Sequence, residues 1–93
     1  MSFEWDADKA QANVRKHGVS FDEAIRVFDD PFSQTFLDKR FAYDEDRFLT
    51  LGTVDGRLYV VVHTDRGSTV RIIMARSATA KERRAFANGP RAI

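Results

Sequence analysis

The sequence predicts an α+β domain of order β-α-α-β-β-β-β-α, an antiparallel sheet with helices packed on it. Three observations carry this. Two segments near the N-terminus open on capping residues and space their apolar side chains as helices do. The middle of the chain runs at period two around Asp55-Gly56. A second capping box then follows the last apolar strand. Helices laid on one face of such a sheet are the natural layered solution.

Phe3-Glu4-Trp5 alternates and reads as a brief edge strand. Asp6 suits the N-cap of a helix from Ala7 to about His17, with Gly18 in the left-handed position that ends it. Ser20-Phe21-Asp22-Glu23 is a capping box, with Val19 and Ala24 at the staple positions. Phe21, Ala24, Ile25 and Phe28 line one helical face, and Asp29-Asp30-Pro31 stops that helix. A strand is expected over Ser33 to Leu37, then a polar connection from Asp38 to Asp46. Arg47 to Val54 and Arg57 to Thr64 form a hairpin, because a type I′ turn needs φ > 0 at both Asp55 and Gly56. Asp65-Arg66-Gly67 makes the next tight connection to a last strand, Thr69 to Arg76. Thr79-Ala80-Lys81-Glu82 opens a final helix to about Ala87, which Gly89-Pro90 ends.

Composition narrows the function. The chain has 93 residues, one domain's worth, and 43% apolar residues with eight phenylalanines supply a single modest core. It has no cysteine, which excludes disulfides, thiolate nucleophiles and cysteine-ligated zinc. Nothing at its start resembles a signal peptide and no apolar run approaches the ~20 residues that span a bilayer, so a cytoplasmic protein is expected. The net charge of +1 hides a polarity. Residues 1–56 carry seven basic and twelve acidic groups, −5, whereas the rest carries eight basic and two acidic, +6. A clustered Arg/Lys face is suited to phosphates or carboxylates.

Arg71 and Arg76 lie five positions apart on the last strand, so strict alternation sends them to opposite faces. Arg76, at the strand's end, is placed to meet Arg83 of the final helix as a pair of planar phosphate donors. The alternative is that these arginines only solvate a surface. Lys16 and His17 close the first helix; His17 is suited to proton transfer, yet a cation there is also favoured by the helix dipole alone. His63, after Val60-Val61-Val62, reads as a hydrogen-bonded sheet histidine. Asp44-Glu45-Asp46 reads as a solvated loop, and Phe41, Tyr43 and Phe48 flank it, with Phe48 read as core. The histidine spacing fits no transition-metal motif, and no nucleotide-binding glycine loop or nucleophile elbow is present.

Several stretches together resemble the BrnT family, the toxins of bacterial BrnT/BrnA type II toxin–antitoxin pairs. They are Phe3-Glu4-Trp5-Asp6, Asn13 through Ala24 with its Lys16-His17-Gly18, and Val27-Phe28-Asp29-Asp30-Pro31. Asp46 to Gly52, Leu58 to Thr64, Arg71-Ile72-Ile73, Ala75-Arg76 and Ala78 to Arg83 extend the match to about Gly89. The resemblance implies a single toxin domain over 1–89 with a short tail at 90–93, a RelE/ParE-like fold, and a metal-independent endoribonuclease without cofactors that cuts RNA and blocks translation. Its implied partners are a BrnA-like antitoxin with a ribbon-helix-helix part, RNA on or off the ribosome, and operator DNA only through the antitoxin. Carried over by position, Lys16, His17, Arg71, Arg76 and Arg83 become the catalytic candidates. Two departures stand out: Met74 replaces a serine of many relatives, and Arg40-Phe41-Ala42-Tyr43 differs from the His-Ser sequence common in that loop. An inactive module that only docks an antitoxin or nucleic acid is the competing expectation.

Overall fold

A computed structural model describes residues 1–39 and 45–88. The expectations for Arg40 to Asp44, and for Gly89-Pro90 and the tail, lie outside the described residues. The element order is β1 (Ser2–Glu4), α1 (Ala7–His17), α2 (Phe21–Ala24) running into a 3-10 turn (Ile25–Asp29), β2 (Gln34–Leu37), β3 (Phe48–Val54), β4 (Arg57–Arg66), β5 (Thr69–Ser77) and α3 (Ala80–Ala87).

The local signals work as physics requires. Asp6 accepts from the amides of Asp8 and Lys9, and Gly18 closes α1 at φ 71°. Asp55 and Gly56 take φ of 51° and 82°, the mirror-image turn whose twist matches the paired strands. Thr79 and Glu82 form the full reciprocal capping box. The first box is only half made. Ser20 accepts from the amide of Glu23, but the Glu23 carboxylate takes the Tyr59 hydroxyl at 2.7 Å instead of turning back.

Four expectations about assembly are corrected. The sheet is mixed: its order is β1-β5-β4-β3-β2, and β1 pairs parallel to β5 while every other pairing is antiparallel. A three-residue segment carries no signal of which edge it will join, so only the helical crossover decides it. The helices also occupy both faces. α1, α2 and the 3-10 turn cover a core of Phe21, Ala24, Val27, Val61 and Ile72, whereas α3 brings Phe86 to the face of Leu51 and Val60. That switch follows from the exit of β5, where the Ala78 amide donates to Leu58 O and Ala78 packs beside Val60. The second helix tightens to 3-10 after Ala24, as helix ends often do. This presses Val27 onto β3 at Gly52, where an added Cβ would lie 2.8 Å from Val27 O.

The fourth correction concerns parity. Pairing between β4 and β5 shifts register at Val62/His63, so Met74 faces Val62 and Ile72 faces His63, with Ile73 as the extra residue. Arg71 therefore pairs with Thr64 and Arg76 with Val60. Those β4 partners are an even number of residues apart, so both arginines lie on one face. The bulge reverses the expectation from strict alternation.

Candidate functional site

The junction of β5 and α3 gathers the charged groups. Arg76 donates from Nη1 to Glu82 Oε1 at 2.8 Å and from Nη2 to Oε2 at 2.9 Å, with a further bond to Ser77 O at 3.3 Å. This planar fork is the strongest form a guanidinium–carboxylate pair takes. Both side chains are about one-quarter exposed, at 24% and 27%. Glu82 also accepts from the Thr79 amide at 2.8 Å, so a single carboxylate serves the arginine and the helix cap together. The Arg76 hydrogen bond, reinforced by that amide against a burial penalty, lowers the Glu82 carboxyl to about 2.

Arg83 reaches back one turn to donate to Ala78 O at 2.9 Å. It thus joins the same junction, but it does not form with Arg76 the open pair of phosphate donors the spacing suggested. Lys81 and Arg84 are exposed elsewhere on the same helix. Arg71 lies on the same face but about 13 Å away along the strand, four residues at ~3.3 Å each. It donates to Glu4 of β1 at 3.3 Å.

Lys16 and His17 are placed differently. Lys16 is exposed and His17 half-buried at the end of α1, in the helix layer. Asn13 explains how α1 is anchored. Its Nδ2 donates to Ala75 O at 2.8 Å and Val19 O at 2.9 Å, while Ala75 N donates to its Oδ1 at 3.2 Å. The Asn13 amide thus stands in for a strand peptide where β1, which pairs only as far as Arg71, no longer covers β5. The last turn of α1 sits at the same end of β5 as Arg76, on the side of Ala75 rather than of Arg76. The structure brings Arg76, Arg83 and Glu82 together; it does not place Lys16 or His17 on their face.

Two features go beyond the reading of the residues, although His63 is the hydrogen-bonded sheet histidine expected. Glu82 reads in the sequence as a cap, and its place six residues after Arg76 across a strand–helix junction is the signal for a pair. Thr35, Thr50, His63 and Asp65 form a chain of hydrogen bonds of 2.8, 2.7 and 3.0 Å across β2, β3 and β4. This hydroxyl–imidazole–carboxylate series has the order of a nucleophilic triad, yet Thr50 is wholly buried and no substrate reaches it. A groove of about 630 Å³ between Phe32 and Phe86 is lined by none of the candidate residues.

A family model described as "Ribonuclease toxin, BrnT, of type II toxin-antitoxin system" matches residues 5–82, most of the chain. No curated protein matches it.

Proposed function

The chain belongs to the BrnT family of ribonuclease toxins of type II toxin–antitoxin systems, and from that premise we propose that it is a metal-independent endoribonuclease whose phosphate-binding groups sit at the β5–α3 junction. The observation that carries this reading is the bulge, which turns Arg71 and Arg76 to one face, with Arg76 at the junction that Arg83 joins.

The chemistry needs three parts. The ribose 2′-hydroxyl attacks the adjacent phosphorus in line, losing its proton to a base. The bond to the 5′-oxygen breaks, and that oxygen takes a proton from an acid, leaving a 2′,3′-cyclic phosphate and a 5′-hydroxyl. Charge that builds on the pentacoordinate phosphate must be stabilised meanwhile. Arg76 and Arg83 are assigned to that charge, and Arg71, being about 13 Å along the strand, to a neighbouring phosphate. Lys16 and His17 are assigned to proton transfer, a role that requires the RNA to pass the β5 edge at Ala75, where Asn13 takes the place of β1. The partner is a BrnA-like ribbon-helix-helix antitoxin, through which alone operator DNA is met. Growth stops because cut RNA, ribosome-bound or free, halts translation. The fold is assigned to the RelE/ParE-like class, and the cell compartment to the cytoplasm.

Purified protein is expected to cut a ribo-oligonucleotide in the presence of a chelator and to leave the 2′-deoxy counterpart intact. Arg76→Ala is expected to lower kcat by about 10²-fold or more, the usual cost of one charge-stabilising donor. Equal cleavage of both oligonucleotides overturns the 2′-hydroxyl mechanism, and loss of activity with chelator overturns metal independence.

One observation favours the second reading, a module that binds without reacting: Arg71 and Arg76 each already hold a carboxylate. In that case affinity and growth arrest fall together in Arg76→Ala, whereas catalysis separates them.

A further inference from the structure

We propose that Glu82 is a tethered competitor for the substrate phosphate, occupying the Arg76 guanidinium until RNA displaces it. The inference rests on the assignment of Arg76 to phosphate. The geometry is that of a site already filled by an internal anion. Two Glu82 oxygens meet the two Nη atoms of Arg76 at 2.8 and 2.9 Å, the planar fork that a phosphate offers in the same way. The competitor is anchored rather than mobile, since Glu82 Oε1 also accepts the Thr79 amide at 2.8 Å. Displacing it therefore loosens the first turn of α3, the turn in which Thr79 accepts from the Glu82 amide at 3.1 Å. A carboxylate held this firmly stays ionised throughout the neutral range, so it does not clear the site by taking a proton. Release must come from a better anion.

Basic neighbours bias that exchange. Among the described residues no ion pair involves Lys81, Arg83 or Arg84 of the same helix, so an incoming polyanion meets further positive charge along α3 besides the contested guanidinium. A polyanion presenting several phosphates gains from all of these at once, while a single free phosphate must displace Glu82 with little help. The device favours RNA over small anions.

The test is binding of a 2′-O-methyl RNA, which cannot be cut by 2′-hydroxyl attack, measured by fluorescence anisotropy. Glu82→Gln, which keeps an oxygen for the Thr79 amide, is expected to bind roughly fivefold more tightly than wild type. That gain must vanish when Arg76→Ala is added, since it arises at that guanidinium. Glu82→Asp keeps the charge but shortens the reach; it too is expected to bind more tightly, which a mere change of net charge does not produce. It also decides the matter should Glu82→Gln fail to fold. Unchanged or weaker binding by both variants overturns the proposal, as does a gain that survives without Arg76. If neither wild type nor variants bind RNA, the assignment of the junction to RNA phosphate falls and this inference with it; binding with Glu82 immaterial removes only the inference.

Discussion

His63 is 3% exposed, lies between the rings of Phe28 and Phe48, and makes a hydrogen bond on each nitrogen. The Asp65 carboxylate can only accept, so Nδ1 carries the proton and the neutral ring accepts the Thr50 hydroxyl at Nε2. Burial lowers its pKa below 6.5, and the attraction of half-exposed Asp65 only partly offsets that. Because the folded value lies below the unfolded one, this site's stability is complete above about pH 6.5 and is lost as pH falls through the folded value. Thermal unfolding is expected to show Tm falling from pH 8 to pH 5 through this group. The fall should flatten in His63→Gln; an unchanged slope in that variant contradicts the assignment. Single residues also decide the site. Arg76 faces α3 because one extra residue, Ile73, inverts the alternation ahead of it.

At the scale of elements, α1 is fixed to the sheet by a polar contact as much as by apolar ones. Asn13 is 6% exposed and satisfies both backbone groups of Ala75, which would otherwise be buried without partners. Asn13→Ala is expected to cost about 2–3 kcal/mol, the penalty for orphaned buried backbone groups, in urea unfolding with an unchanged m-value. A loss below about 0.5 kcal/mol would place that edge in solvent. Polar residues of this kind are poorly legible in sequence. An asparagine within a helix looks the same whether it meets water or a strand edge 62 positions later. The caps were legible for the opposite reason: Asp6, Ser20 and Thr79 act on amides two or three residues away, within reach of any local reading.

Across the whole molecule, the charge split written along the chain falls on different elements. Most acidic groups lie before Asp55, while the basic excess lies on β5 and α3. If the exposed Lys81, Arg83 and Arg84 each neutralise one phosphate, RNA binding weakens steeply with salt, and replacing all three by alanine makes the slope of log K against log salt shallower by about 2, at ~0.7 per contact on a single strand. An unaltered slope would move the RNA elsewhere on the surface. The element order, the Asp55-Gly56 hairpin, the charge polarity and the family all follow from residues read in order, because capping, turn strain and composition depend on near neighbours or on none. The parallel docking of β1, the move of α3 to the second face, the common face of Arg71 and Arg76 and the pairing of Arg76 with Glu82 do not. Each depends on which distant backbone a strand pairs with, and a one-residue shift in that pairing reverses every side chain beyond it.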